Sequence, residues 1–430
     1  MSESLTQFIL PIKLEKSSER LTSLGGLVVL EEMARALKVW EKVDGALEGP
    51  KSGRGYEPDE FVQPLVGMLH AGGRRPEELR ELRGEREVLE RLGLEAVPDA
   101  GTVGDWLRRQ GMTGAAEIAQ VSQELIAECL NQEPEALTLD VDATEIEAEK
   151  QEAQWTYQQV KGYRPLVGYG KGWCVGHEFG EGSPSPGAGI GEFARQCEAA
   201  LPEGKRIYFR SESAAYPAAV INQYSQAGRS FTITADLDQA VRREIAHRPE
   251  TAWKPYRTAE GLATDREIAE TVHTMGGTEQ AFRLIVLRWP NPQPNLFEAE
   301  RYCYHAVATP REEPASAAIR RHNQRGQCEN WHKELKAGLG MEQMPCGEFE
   351  ANALYFAIGV LAYNLAERLK RRGLPESYRT VTVATLRWKL DRLAAKLVRH
   401  ARGWVLQVKA DLEKWRLLES ARAGCAGLGN

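Results

Sequence analysis

Three acidic residues stand where a hard divalent cation would find oxygen ligands. Asp142 falls in Leu137-Thr138-Leu139-Asp140-Val141-Asp142-Ala143-Thr144, which alternates apolar and polar residues as a strand does, so Asp140 and Asp142 share a face. Glu212 follows directly on a second strand-like run, Arg206 to Arg210, and Glu329 lies in a helical stretch from Ala315 to Leu339. Carboxylates gathered from two strands and a helix can hold Mg²⁺, and two such ions can clamp the attacking and leaving oxygens of a phosphodiester. Each acid is ordinary among the 61 Asp and Glu of the chain; their order on alternating elements singles them out.

The helical stretch adds cations to the last of these acids. Arg325, Glu329 and Lys336 stand at i, i+4 and i+11, with His332 and Lys333 three and four residues after Glu329, all on one face. Such a face can bind metal and grip phosphate together, although a solvated face laced with salt bridges has the same spacing. Trp331 can stack on a splayed base or pack into a half-buried core. His177, His247, His273 and His305 are dispersed and read as structural.

The surrounding periodicity says what must position these groups. Residues 1–130 read as helices (Leu27 to Val43, Pro58 to Ala71, Pro76 to Leu92, Gly101 to Gln110), and the stretch Val97 to Arg109 suits either a DNA groove or a plain surface. From Leu137 the pattern becomes α/β: a strand, an apolar run from Trp173 to Phe179 at hairpin distance, and a Gly/Ser/Pro loop from Gly180 to Gly191. A helix (Glu192 to Ala200), a strand, a helix (Tyr216 to Gln226) and a strand (Phe231 to Ala235) follow. Residues 236–310 interrupt that alternation with strand-like Phe282 to Trp289 and Arg301 to Thr309, a β-rich insertion. The apolar segment from Glu350 to Arg372 reads as a buried helix, because its uncharged part, Ala351 to Ala366, is short for a membrane span.

Length and composition bound the rest. At roughly 150 residues per domain, 430 residues predict two or three domains, and 42% hydrophobic with 27% charged residues is the balance of a soluble globular protein. Seven scattered cysteines without a C-x-x-C pair suggest neither a disulfide framework nor a zinc knuckle. The opening Met1-Ser2-Glu3-Ser4 lacks the basic start of a secretory signal, which points to an intracellular protein. The net charge of −6 hides a division. From Asn364 to Arg422, 15 Lys and Arg face six Asp and Glu, about +9, so this segment is a candidate phosphate-contacting surface. Its alternative is a solvated helical face, since Arg387, Arg392, Lys396 and Arg399 keep helical spacing. Trp388, Trp404 and Trp415, interleaved with these cations, read more readily as anchors to the core than as DNA contacts.

His322-Asn323-Gln324-Arg325-Gly326-Gln327-Cys328-Glu329, with Lys333 to Lys336, Asn352 and Ala362-Tyr363-Asn364-Leu365 after it, resembles the Y-x2-R-x3-E-x6-K region of bacterial insertion-sequence transposases of the DDE type. It is most similar to the thirteen-eighty family within the IS4-like group. Leu139 to Thr144 resembles that family's first-aspartate strand, Gly162 to Leu166 the segment after it, and Arg210 to Tyr216 its second-aspartate strand end. The resemblance covers roughly Leu137 to Leu365. It implies an α/β chain whose ribonuclease H-like catalytic core, residues 131–345, carries the β-rich insertion at about 236–310. A helical DNA-binding or dimerisation region, 1–130, and a basic, mainly helical C-terminal region, 346–430, flank it.

The implied activity is cut-and-paste transposition: Mg²⁺-dependent hydrolysis at transposon ends, with Mn²⁺ as a substitute and two ions per site, then attack of the freed 3′-hydroxyl on target DNA. By carry-over Asp142, Glu212 and Glu329 are the catalytic metal ligands; Arg325, Lys333, Lys336, His322 and Trp331 face DNA. Asp140 is the lesser candidate, a group that supports the ligands. The implied partners are double-stranded DNA, as terminal inverted repeats and target, and a second copy of the chain on paired ends, in the bacterial nucleoid and with no membrane. Two positions depart from the family: Glu212 where Asp is usual, and His322 where Tyr is usual. The longer Glu212 side chain raises the alternative of a catalytically impaired, DNA-binding derivative, as does assignment of the second ligand to Asp236 or Asp238. A metal-dependent nuclease of the same core is a third reading.

Overall fold

The computed structural model describes residue 12 and residues 15–428, apart from positions 52, 95, 186, 293–300 and 402, with backbone only at 86, 87 and 92. Met1 to Ser4 therefore lies outside the described residues. Among the described residues, no helix is long and apolar enough to cross a membrane.

A nine-stranded mixed sheet forms the middle of the molecule. Its strands are β1 (Ala136–Ala143), β2 (Leu166–Gly170), β3 (Trp173–Glu178), β4 (Arg206–Ser211), β5 (Ser230–Ala235), β6 (Lys254–Arg257), β7 (Ala263–His273), β8 (Phe282–Pro290) and β9 (Tyr302–Thr309). They lie in the order β6-β7-β8-β9-β5-β4-β1-β2-β3. Only β1, β4 and β5 run parallel, and helices Ile190–Ala199 and Ala218–Gln226 supply the crossovers that parallel pairing requires. β1 accordingly alternates less cleanly than a one-sided strand: Leu137, Leu139, Asp140 and Val141 are all buried.

One sequence expectation is corrected here. The antiparallel partner of β1 is β2, and Trp173 to Glu178 pairs with β2 instead. Leu166-Val167-Gly168-Tyr169-Gly170 is buried at every position, so it lacks the alternation that announces a strand. The β-rich interval continues the same sheet: β9 pairs antiparallel with β5, and β8, β7 and β6 extend it outward.

The helical part is built on two long helices. In α1 (Ala100–Gln132) the side chain of Asp99 accepts from the Thr102 amide at 2.9 Å as N-cap, and the helix runs on past Gln110, where the sequence suggests an end. A non-helical break at Gly111, φ 51°, kinks it, and a Cβ there would stand 2.8 Å from the Glu350 carboxylate. Helix α2 (Gly326–Lys333) closes the active face of the sheet. Helix α3 (Phe349–Arg368) is buried at every residue from Ala351 to Arg368, as a helix apolar all round must be. Its two interior amides are hydrogen-bonded: Asn364 accepts from the Cys174 amide at 3.0 Å and donates to Cys174 O and Ser122 Oγ, both 2.9 Å, tying α3 to β3 and α1. The hydrophobic core is continuous from Leu24 through the sheet to Cys425.

The C-terminal segment, mainly helical through α3 and the short helical turns after it, also holds a β-hairpin that its helical spacing does not announce. Ala395–His400 and Gly403–Val408 form a hairpin that pairs with Leu21–Thr22, followed by helix α4 (Leu412–Ala426). Lys396 and Arg399 thus sit on a strand, against their helical spacing. Several of the segment's cations are engaged within the fold: Arg387 donates to the carbonyls of His70 (2.7 Å), Leu69 (3.0 Å) and Gly338 (2.7 Å), Arg392 at the surface to Ala71 O, and Lys396 and Arg422 form exposed pairs with Glu19 and Glu32. The charge excess is in good part the complement of helix ends and neighbouring acids. Trp388 and Trp415 are exposed, not anchored, whereas the Trp404 ring carries the guanidinium groups of Arg20, Arg91 and Arg399.

Candidate functional site

Parallel register brings the first two acids together. Asp140 faces Arg210 and Val141 faces Ser211 across β1 and β4, so the next residues on the two strands, Asp142 and Glu212, emerge side by side at the carboxyl ends of the strands. That is where ligands gather in open α/β sheets. The Ser211 hydroxyl donates to Val141 O at 2.7 Å and locks this register. Glu212 is the residue preceding a short 3-10 turn, Ser213–Ala215, with extended backbone that turns its side chain out of the sheet.

Helix α2 delivers the third acid and the group that gathers all three. Arg325, just before its first turn, donates Nη1 to Asp142 Oδ2 at 2.9 Å and Nη2 to Glu329 Oε1 at 3.2 Å, and pairs through Nη2 with Glu212. One guanidinium, 10% exposed, therefore holds three carboxylates from three elements. Exposure rises across the set, from 18% for Asp142 through 36% for Glu212 to 68% for Glu329, so the cluster opens outward from a closed end. Burial and the neighbouring Glu212 carboxylate push Asp142 up to about 6 against the pull of Arg325. Three convergent carboxylates form an all-oxygen donor set suited to a hard divalent cation, and Arg325 supplies the positive charge that this set demands.

The alternatives for the second acid separate on geometry. Asp238 is the N-cap of helix Gln239–Ala246, accepting from the Val241 amide at 2.8 Å, and Asp236 is an exposed residue just beyond β5; Glu212 is the one that meets Arg325. Asp140 is fully committed elsewhere. Its two oxygens accept from Arg210 Nε at 2.5 Å and Nη2 at 2.8 Å in a buried bidentate pair, and Arg210 Nη1 reaches Arg321 O at 2.6 Å. Asp140 thus braces the strand ends behind the site.

The residues expected to face DNA fall into two groups. Lys333 is exposed, and Lys336, in the π-helical turn that continues α2, donates to Glu145 O and lines the mouth. His322 is 2% exposed with Nε2 3.0 Å from Thr234 Oγ1, and burial drives its imidazole down to about 3. Trp331 packs against Tyr169, ring centroids 5.4 Å apart, at the edge of the core. His322 is thus enclosed by the fold, whereas Trp331 is only partly buried.

A cleft of about 1160 Å³ starts at Asp142 and Glu212 and runs past Glu145, Lys150, Arg164 and Lys336 to Arg75. Its lining holds seven carboxylates against four basic side chains, which favours cations. Arg164, which nothing in its side-chain spacing marks in the sequence, is 6% exposed, gives one bond to Ser185 O, and leaves Nε and Nη1 without a partner. Only its place in Gly162-Tyr163-Arg164-Pro165-Leu166 marked it in the sequence. A buried guanidinium with free donors beside a cleft is a ready phosphate contact.

No curated protein matches the chain. The family model described as the transposase DDE domain, group 1, matches residues 6–424, and with three acids gathered at the strand ends the chain belongs to that family of DDE transposases.

Proposed function

We propose that the chain is a cut-and-paste DNA transposase of the thirteen-eighty type, acting as a homodimer on paired transposon ends, with Asp142, Glu212 and Glu329 as its catalytic ligands. The observation that carries this reading is the convergence of those three carboxylates on Arg325. The strand order β3-β2-β1-β4-β5 at the centre of the sheet supports a ribonuclease H-like core. Two Mg²⁺ ions, or Mn²⁺, held by the three carboxylates would supply Lewis acidity and an activated oxygen nucleophile at the phosphodiester.

The protein's own groups would do the positioning. Asp142 and Glu212 are fixed by the β1–β4 register, and Asp140 with Arg210 keeps the strand ends from shifting. Arg325, when its carboxylates take metal, is freed to grip a phosphate oxygen beside the scissile bond, Lys336 and Arg164 provide further phosphate contacts along the cleft, and the exposed Lys333 adds one on the helix beside it. The acidic lining explains why metal must come first: without it the cleft repels a DNA backbone.

The second reading, a DNA-binding derivative without cleavage, rests on Glu212 in place of the usual Asp. Against it stands the reach of Glu212, which meets the same guanidinium as Asp142 and Glu329. An end-cleavage assay with Mg²⁺ or Mn²⁺ separates the two. Wild type should cut, and Glu329→Gln should cut at least about 100-fold more slowly. A wild type that stays silent until Glu212→Asp restores cutting would establish the second reading.

A further inference from the structure

Beside the carboxylate cluster the structure gathers a second and chemically different set of ligand atoms. Cys328 and His332 stand four apart on α2 and project from one face toward β1. With Asp142 they offer one sulfur, one nitrogen and one oxygen, all within 4.8 Å of one another; His332 Nε2 lies 3.9 Å from Asp142 Oδ2. Tetrahedral ligand atoms around Zn²⁺ are roughly 3.3–3.8 Å apart, given bonds of about 2.3 Å to sulfur and 2.0–2.1 Å to nitrogen and oxygen. Closing the set on an ion thus takes side-chain shifts on the order of 1 Å.

The same place carries an unmet demand for a partner. His332 is 7% exposed, and neither ring nitrogen has a hydrogen-bond partner. The hydroxyl of Tyr169, whose ring meets the imidazole edge-on at 5.2 Å, is likewise buried and unpaired. Leaving buried polar atoms unpaired is costly, so a buried imidazole with both nitrogens idle beside a thiol and a carboxylate is poorly explained as packing alone.

We propose that Cys328 Sγ, His332 Nε2 and Asp142 Oδ2 form a site for a borderline-soft divalent cation of the Zn²⁺ class, distinct from the all-oxygen centre but sharing Asp142 with it. Thiolate and imidazole select Zn²⁺ and Co²⁺ over Mg²⁺, and binding releases the thiol proton to solvent. Asp142 faces the cleft, which gives a water access to the fourth position. Occupancy here draws Asp142 Oδ2 away from Arg325, so the site couples to the centre proposed above and rests on that reading only for its consequence, not for its existence.

The test is Co²⁺ titration of the full-length, reduced, metal-free protein. Wild type should develop a near-ultraviolet thiolate-to-cobalt band saturating at one ion per chain, abolished by Zn²⁺ and untouched by Mg²⁺. Cys328→Ser and His332→Asn should lose the band or weaken Co²⁺ binding on the order of 100-fold, while Glu329→Gln and Glu212→Gln keep it. Cys328→Ala serves where serine proves too polar for the buried position, with circular dichroism and thermal unfolding confirming the fold. Absence of the band in wild type, or its survival in folded Cys328 variants, overturns the site. Loss of cleavage in Glu329→Gln with the band intact would separate this site from the transposase centre, and a silent cleavage assay with an intact band would leave the site standing alone.

Discussion

Arg325 and Arg387 each hold three oxygens, yet the two neighbourhoods are built for opposite ends. Arg325 binds the carboxylates of Asp142, Glu212 and Glu329 at a mouth that opens to solvent. Arg387 binds the carbonyls of Leu69, His70 and Gly338, at the end of helix Asp59–Ala71 and of the turn after α2. Full negative charges can exchange one cation for another of higher charge. Helix-end carbonyls carry only partial charge and point into a closed junction, where a donor of fixed shape has no competitor. The chemistry of the acceptors, not of the arginine, separates a replaceable cation from a permanent one.

The strongest way to break this contrast is at the permanent end. Arg387→Ala leaves three partly buried carbonyls without their donor and should lose about 3 kcal/mol of stability in urea unfolding, by the same amount with or without divalent metal. Arg325→Ala should lose about 1–2 kcal/mol in metal-free buffer, because three carboxylates then repel one another. Millimolar Mg²⁺ should recover most of that loss through preferential binding to the folded state. Equal losses in both buffers would erase the distinction.

A smaller effect sits at the other end of the helix that Arg387 caps. Burial, with the nearby Asp44 carboxylate, pushes Asp59 up to about 6. The folded state then holds a proton that the unfolded state has released, so the associated stability is full below pH ~4 and lost as pH rises through about 6. Asp59→Asn should gain about 1 kcal/mol above pH 6, nothing below pH 4, and show no response to Mg²⁺. The smallest expected effects concern DNA affinity. Lys333→Ala, on the exposed side of α2, should lower the slope of log affinity against log salt by about one, whereas Lys396→Ala, already paired with Glu19, should leave it unchanged.

The sequence made the site more legible than its frame. Alternation around Asp142 and the strand before Glu212 are local signals, and the i, i+4 relation of Arg325 to Glu329 holds across the turn into α2. Which acids meet is a matter of register between β1 and β4, residues about 70 apart, and no local pattern encodes it. β2 escaped notice because both its faces are buried, and the C-terminal hairpin because Arg387, Arg392, Lys396 and Arg399 mimic helical spacing by composition alone. A charge count says nothing of direction: Arg387, Arg392 and Arg422 each engage a neighbouring element of the fold. The Cys328–His332–Asp142 group has no such local signal, since its third member lies on a strand 186 residues before Cys328 in the chain.

Helix α3 also sets a schedule for synthesis. Its buried Asn364 ties residues at 122 and 174 together, and its surface completes the packing of α1 and β3, so neither the early helices nor the sheet can close their core until residue 368 has left the ribosome. At 5–20 residues per second, the gap between the end of α1 and the end of α3 is roughly 10–50 s. During that interval the apolar faces of Trp173, Ile118 and Leu125 have no lid. A nascent chain of this design depends on holding chaperones for longer than one whose domains fold in order, and a product cut short before Phe349 would be a target for proteolysis rather than a smaller working protein.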